Sequence, residues 1–259
     1  MKSKGVFSRV RGEWGWRVGL VVGVVGVGLV GAVGLMSWWR SPAPEEVEIG
    51  NVGSYSLSVA WQTERPVRGA VVVSEEASRW RRGWEFFRCR IRPWGCRIYW
   101  DEIGGKTHFV YLRDLEPEKA YYYRIVSGNR LWKRSKEGKI LPAIRTAKEL
   151  EEVPVPQPVF GYVFQRGGER PVVGGLVWLE LVGEEGVRSA PLLSYTNRQG
   201  VWLVDLSGLR SLDGEKRVRI EEGDQLFIKV WDGEGGEAEK EVEVLAKKKL
   251  ETIVMGEEK

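Results

Sequence analysis

The sequence predicts an all-β protein in which one N-terminal transmembrane helix precedes two tandem β-sandwich domains. Three observations carry this reading. Twenty-two residues between Arg17 and Arg40 hold no charge, enough for a helix to cross a bilayer. Beyond residue 45, apolar and polar residues alternate in short runs, the period of half-buried strands. Of the 33 glycines and 11 prolines in the chain, 24 glycines and nine prolines lie beyond residue 45 and punctuate those runs, as turns between short strands require.

The uncharged stretch VGLVVGVVGVGLVGAVGLMSWW (residues 18–39) would extend roughly 33 Å as a helix. Trp14 and Trp16 precede it and Trp38 and Trp39 close it, where amphipathic rings rest at the two headgroup layers. Lys2, Lys4, Arg9, Arg11 and Arg17 stand before the stretch, against Arg40 followed by Glu45, Glu46 and Glu48 after it. This bias places residues 1–17 in the cytoplasm and everything after residue 40 outside, as in a single-pass plasma-membrane protein. A cleaved secretory signal is the competing reading. Its apolar core would be unusually long, and the best small pair, Ala32 and Gly34, falls inside it. Gly15, Gly19 and Gly23 recur every four residues, a spacing that lets membrane helices pair closely.

Residues 45–147 form the first expected sandwich. In YSLSVAWQT, Leu57, Val59 and Trp61 share one face and Ser56, Ser58 and Ala60 the other, a half-buried strand. VRGAVVVS (67–74), THFVYLRDL (107–115) and AYYYRIVSG (120–128) follow as further strands. In the last, Tyr121, Tyr123 and Ile125 point inward and Tyr122, Arg124 and Val126 outward, so Trp61 and Tyr123 are candidate core residues. Leu115, Pro117 and Tyr121 make the array L-x-P-x-x-x-Y. It resembles the fibronectin type III pattern, whose tyrosine corner ties the hydroxyl to the preceding turn. SLSVAWQTERPVRGAVVV, HFVYLRDLEPEKAYYYRIVSGN and LPAIRT look more closely like the variant that precedes the catalytic domain of purple acid phosphatases and stands alone in many bacterial surface proteins. The chain departs from that variant in its long segment 75–103 and in Lys119, where a threonine is common. The resemblance implies a spacer or binding platform without catalysis, since the phosphatase metal ligands belong to a neighbouring domain.

Segment 75–103 reads as an inserted hairpin of unusual composition. Within RWRRGWEFFRCRIRPWGCRIYW (79–100), seven arginines interleave with seven aromatics. Cys89 and Cys96 bracket a turn in which Pro93 and Gly95 fit the second and fourth places of a type I turn. Outside the cell these two cysteines would form a disulfide, contributing about 2 kcal/mol for so short a loop; in a reducing compartment they would be two thiols. Arg79, Trp80, Arg81, Arg82, Trp84, Arg88, Arg90, Arg92 and Trp94 are the candidate ligand-binding patch, suited to anionic polysaccharide, lipid headgroups or a surface protein. The plainer reading puts the aromatics into a core and the arginines into water. Nucleic acid is disfavoured. The net charge of +4 comes from residues 1–17 and 79–100, while the remainder is net acidic and no recognition motif occurs.

Prolines 154, 156 and 158 make residues 148–158 an extended linker. Residues 159–245 read as a second all-β domain. Val177, Leu179 and Leu181 share one face, as do Trp202, Val204 and Leu206, and Leu226, Ile228 and Val230. Trp178, Phe227 and Trp231 fall on the opposite faces, a candidate apolar patch for a neighbour or domain. The layout of GYVF, ERPVVGGLVWL and TNRQGVW resembles carboxypeptidase regulatory-like and Cna-B-like sandwiches of surface proteins. Some of these form a Lys to Asn isopeptide bond from the first strand; residues 149–215 contain no lysine, so none is expected here. Residues 246–259 are a charged tail, frayed or a final edge strand.

Catalytic chemistry finds little footing. His108 is the one histidine, too few for a dinuclear metal centre and expected to be structural. No G-x-S-x-G or phosphate loop occurs. Glu75/Glu76 and Glu221/Glu222 sit in charged turns. The sequence therefore implies no catalytic, cofactor or metal site, and a membrane-anchored surface protein for binding or adhesion. The alternative is a structural subunit of a cell-envelope assembly.

Overall fold

The structure, a computed structural model of the chain, describes residues 41–76, 96–152, 154–183, 186–244 and 249–256. The expected transmembrane helix at 18–39 lies outside them. Among the described residues no helix is long and apolar enough to cross a membrane, and fifteen strands build the body.

The first eight strands are β1 (Glu45–Gly50), β2 (Leu57–Val67), β3 (Gly69–Ser74), β4 (Cys96–Trp100), β5 (Gly105–Leu112), β6 (Ala120–Ser127), β7 (Arg130–Trp132) and β8 (Ile144–Arg145). Sheet β1-β2-β5 faces sheet β4-β3-β6-β7, with β8 paired to the start of β6, an immunoglobulin-like sandwich. Leu57, Val59, Trp61, Val71, Val73, Val110 and Leu112 meet Tyr121, Tyr123 and Ile125 in its core. The tyrosine run thus divides by strand alternation: Tyr121 and Tyr123 are buried while Tyr122 is only partly so. The Glu116 N–H donates to the Tyr121 hydroxyl at 2.8 Å, tying the turn after buried Leu115 to the strand. Pro117 sits in that turn, between Asp114 and Glu118 at positive φ. Thr146, just after β8, donates to the Glu116 carbonyl at 2.6 Å and closes the same corner. The departing residue Lys119 pairs with Glu75 and Glu116 at 2.8 and 2.9 Å.

The remaining strands are β9 (Pro158–Phe164), β10 (Leu176–Val182), β11 (Leu192–Tyr195), β12 (Val201–Asp205), β13 (Gln225–Trp231), β14 (Glu237–Glu243) and β15 (Ile253–Val254). Sheet β11-β10-β13-β14 packs on sheet β12-β9-β15. Their core joins Val177, Leu179 and Leu181 to Leu226, Ile228 and Val230 and to Trp202 and Val204. The tail contributes β15, which runs parallel to β9.

Each sandwich closes its core by laying an indole on a glycine. A Cβ at Gly69 would stand 2.6 Å from the Trp61 ring and 2.8 Å from His108 Nδ1. One at Gly161 would stand 2.7 Å from the ring of Trp202, its register partner. Gly69→Ala should therefore destabilise the chain by about 1–3 kcal/mol through overpacking. Gly53→Ala, whose Cβ meets nothing closer than 3.4 Å, should move the denaturation midpoint little.

Candidate functional site at the seam between the sandwiches

Among the described residues, the outward faces of two sheets meet in an apolar cluster outside the two cores. Ala60 and Phe109 from sheet β1-β2-β5 pack on Leu176 and Leu193 from sheet β11-β10-β13-β14, with Ile103, Trp178, Tyr195 and Trp231 around them. The four sheets thus stack in series, with a third apolar core between the middle two. Ser58 and Ala60, the polar-looking face of β2, are 0% and 2% exposed because the second sandwich covers them. Trp178 and Trp231 lie at this seam, and Phe227 packs edge-on to Trp178 at 5.9 Å.

Asn51 fastens the seam. Its backbone is left-handed at φ 52°, and its N–H donates to the Pro191 carbonyl at 3.0 Å. Its side-chain Nδ2 donates to the Leu193 carbonyl at 2.8 Å, while Oδ1 accepts from the Leu193 N–H at 3.0 Å. The amide pairs with Leu193 much as a neighbouring strand would. Nδ2 also donates to Ser58 Oγ at 2.9 Å. Gly50 makes the approach possible: a Cβ there would lie 2.7 Å from Leu193 Cγ and 2.8 Å from the Pro191 carbonyl. At the other end Thr107 donates to the Gly174 carbonyl at 2.5 Å, and Lys106 pairs with Glu234.

The connection 148–158 runs along the seam. Arg210 donates to the Lys148 carbonyl at 2.9 Å and to Ser54 Oγ at 3.0 Å. Arg217 donates to the Glu152 carbonyl at 2.8 Å, and the Gln157 N–H donates to Asp205 at 2.8 Å. Burial would raise the Asp205 carboxyl, but donation from Gln157 and Ser207 brings it below the ordinary value. Beside this connection opens a groove of about 550 Å³, walled by Tyr55 and Tyr111 on one side and Leu193 and Leu203 on the other. A hydrogen bond to Glu149 holds the Tyr55 hydroxyl above its ordinary range.

The sequence-predicted residues fall elsewhere. Trp61 and Tyr123 are core, 0% and 1% exposed. Burial pushes the Tyr123 hydroxyl well up, with the Glu48 charge adding to it. Cys96 opens β4, buried, opposite Ser74. Cys89 and the patch Arg79, Trp80, Arg81, Arg82, Trp84, Arg88, Arg90, Arg92 and Trp94 lie outside the described residues. His108 points into the first core, stacked on Trp61 at 4.8 Å. Its Nδ1 is 2.7 Å from Asp101 Oδ2 and its Nε2 2.9 Å from Thr63 Oγ1. The order acid, imidazole, hydroxyl is that of a nucleophile relay, but the three are sealed: His108 is 0% and Thr63 4% exposed. The Thr63 hydroxyl is also within reach of the Arg65 and Lys106 carbonyls. Such a buried set braces a loop. Among the described residues no group of acidic, histidine or cysteine side chains is arranged to hold a metal ion.

Asn51→Ala removes both Leu193 pairings and should weaken the docking by about 1–3 kcal/mol, seen as the splitting of one calorimetric transition into two. Glu48 faces the seam from β1, where burial foremost, then Glu46, raises its carboxyl. The folded chain therefore binds this proton more tightly than the unfolded chain, and stability falls as pH rises through the raised value. Glu48→Gln should raise the Tm at pH 7, and the gain should vanish once acid has protonated the wild-type carboxyl.

No protein-family model matches the chain, and no curated protein is similar to it. Among solved structures it is similar to the FN1–FN3 domains of chicken CNTN1, at 13% identity and a TM-score of 0.27, over 83% of this chain and 68% of that one. It is also similar to BcpA, the major pilin subunit of Bacillus cereus, at 10% identity and 0.23, over 83% and 70%. The Bacillus anthracis TIE protein follows at 13% and 0.20, over 80% and 39%.

Proposed function

We propose that the chain is a non-catalytic, single-pass membrane protein that holds its two sandwiches outside the cell as one docked unit for binding or adhesion. The seam is the observation that supports this most. The apolar core of the seam and the connection between the sandwiches fix the two modules together, which leaves their broad outer surfaces as the working part. The uncharged residues 18–39 supply the anchor, and β1 begins at Glu45, only a few residues beyond it. Cys96 stands buried at the head of β4, and in the oxidising exterior it forms a disulfide with Cys89. The arginine-rich insert is the binding element, and its partner is an anionic polysaccharide or lipid headgroup.

A second reading, a structural subunit of an envelope assembly, is favoured by one observation. Phe160, Tyr162 and Phe164 line up on the outer face of β9 with centroids 6.2 and 6.3 Å apart, beside Leu203, which is 61% exposed. Such a row suits contact with another protein.

Two measurements test the proposal. The full-length chain should stay in the membrane pellet after an alkaline carbonate wash, and protease added to intact cells should remove residues beyond 40; release into the wash would overturn it. Replacing Arg88, Arg90 and Arg92 together by Ser should weaken retention on an anionic polysaccharide and flatten its salt dependence, with Tm nearly unchanged. Unchanged retention by the triple variant, together with defined oligomers of the intact protein in detergent, would favour the assembly subunit.

A further inference from the structure

The seam closes over much of two sheet faces and leaves one margin open. Phe109 of β5 is buried against the second sandwich, whereas Tyr111, two residues on and on the same face of the strand, is 41% exposed. Tyr55, just ahead of β2, is 49% exposed, and Leu203 of β12, on the other wall, 61%. Between them lies the groove of about 550 Å³ beside the connection, a size within the ~300–1,000 Å³ of small-molecule sites. Both rings are tethered by their hydroxyls. Tyr111 donates to Ser56 Oγ at 2.9 Å, and the Tyr55 hydroxyl bonds Glu149. Large rings gathered in one concavity, fixed at their tips and left bare to water, differ from apolar residues scattered singly over a surface.

We propose that this groove binds a neutral oligosaccharide of flat pyranose rings, with Tyr55 and Tyr111 stacking against the sugars and Arg217 and Asp205 bonding their hydroxyls. Charge points to this class of ligand. Glu149, Glu152 and Asp205 line the groove together with Arg210 and Arg217, so a ligand of one sign meets attraction and repulsion side by side. A hydroxyl both donates and accepts and suits such a lining. A pyranose with equatorial hydroxyls carries them around its rim and keeps C–H groups on its two faces, an apolar surface that matches an aromatic ring. Polar capacity remains for that rim. Among the described residues the Arg217 guanidinium, with five N–H donors, meets one acceptor, the Glu152 carbonyl at 2.8 Å. Asp205 receives the Gln157 and Ser207 N–H groups on Oδ1, and a carboxylate accepts about four bonds. The backbone argues against a peptide. The Asn51 and Gly53 N–H groups already donate to the Pro191 and Ser56 carbonyls, and that of Leu193 to Asn51 Oδ1. An extended peptide would find side chains there and no open strand to pair with.

This site goes beyond the binding reading above, which gives the insert an anionic partner. An uncharged probe tests the groove whether or not the insert takes an anionic polymer. Cellohexaose and laminarihexaose are titrated calorimetrically into the full-length chain in detergent. The expected result is saturable binding of at least one of them, unchanged by added salt, weakened about tenfold or more in Tyr111→Ala and in Tyr55→Ala, and recovered in Tyr111→Phe, which restores the ring. Binding of neither sugar, undiminished binding in both alanine variants, or binding of a polyproline peptide in place of the sugars would overturn it. Should the alanine variants fail to fold, the unaltered chain decides: saturating sugar should shield Tyr55 and Tyr111 from nitration by tetranitromethane, mapped by peptide mass spectrometry, and equal nitration with and without sugar refutes the site.

Discussion

A β-sheet with apolar residues on both faces has to be covered twice, and this requirement shapes the whole body of the protein. Leu57 to Trp61 of β2 are all buried, as are all six residues of β3. One sandwich can bury only the inner half of such strands. For β2 the outer half is met by the second sandwich. The energetics favour that union clearly: a fully buried leucine or phenylalanine contributes about 1.5–3 kcal/mol. The seam ion pair between Lys106 and Glu234, with side chains 28% and 69% exposed, is worth about 0–1 kcal/mol. Apolar burial holds the sandwiches together, and the polar contacts set their register.

The inner faces were legible in the sequence because strand alternation exposes them. Leu57, Val59 and Trp61, the tyrosine run, and the sets around Val177, Trp202 and Ile228 all occupy the cores their spacing predicts. The tyrosine corner was legible from three residues. The seam was not. Ser58 and Ala60 read as the solvent face of a half-buried strand, since small residues are common there. Here small size means close approach, and only the partner surface distinguishes the two cases. Trp178 and Trp231 hinted at it as large apolar residues on the wrong face. Asn51 gave no signal at all: an Asn after a glycine predicts a turn, which is true of its backbone, but nothing local announces an amide reaching across to Leu193.

The buried histidine shows how core and seam are linked. Asp101 accepts from the Ile103 and Phe109 N–H groups on one oxygen and from Gly104 N–H on the other, the oxygen that also meets His108. A carboxylate so fully used fixes the loop between β4 and β5. That loop carries Ile103 against Gly174, where even a methyl would crowd it at 2.8 Å. The imidazole under Trp61 thereby braces the part of the first sandwich that touches the second. A group arranged like catalytic machinery serves as a strut.

The short connection explains why a modest seam suffices. Two free domains would have to offset the full entropy of association. Two domains joined through residues 148–158 meet at an effective concentration on the order of millimolar, and the bonds from Arg210 and Arg217 to the linker backbone lower the remaining freedom further. A proline-rich stretch that reads as a spacer in isolation acts here as a tether lying in the joint. Proline stiffness serves both ends, because a chain already extended loses less entropy when it is laid along a groove. The same composition can separate two domains or clamp them. The choice belongs to the faces it connects, and here those faces are apolar.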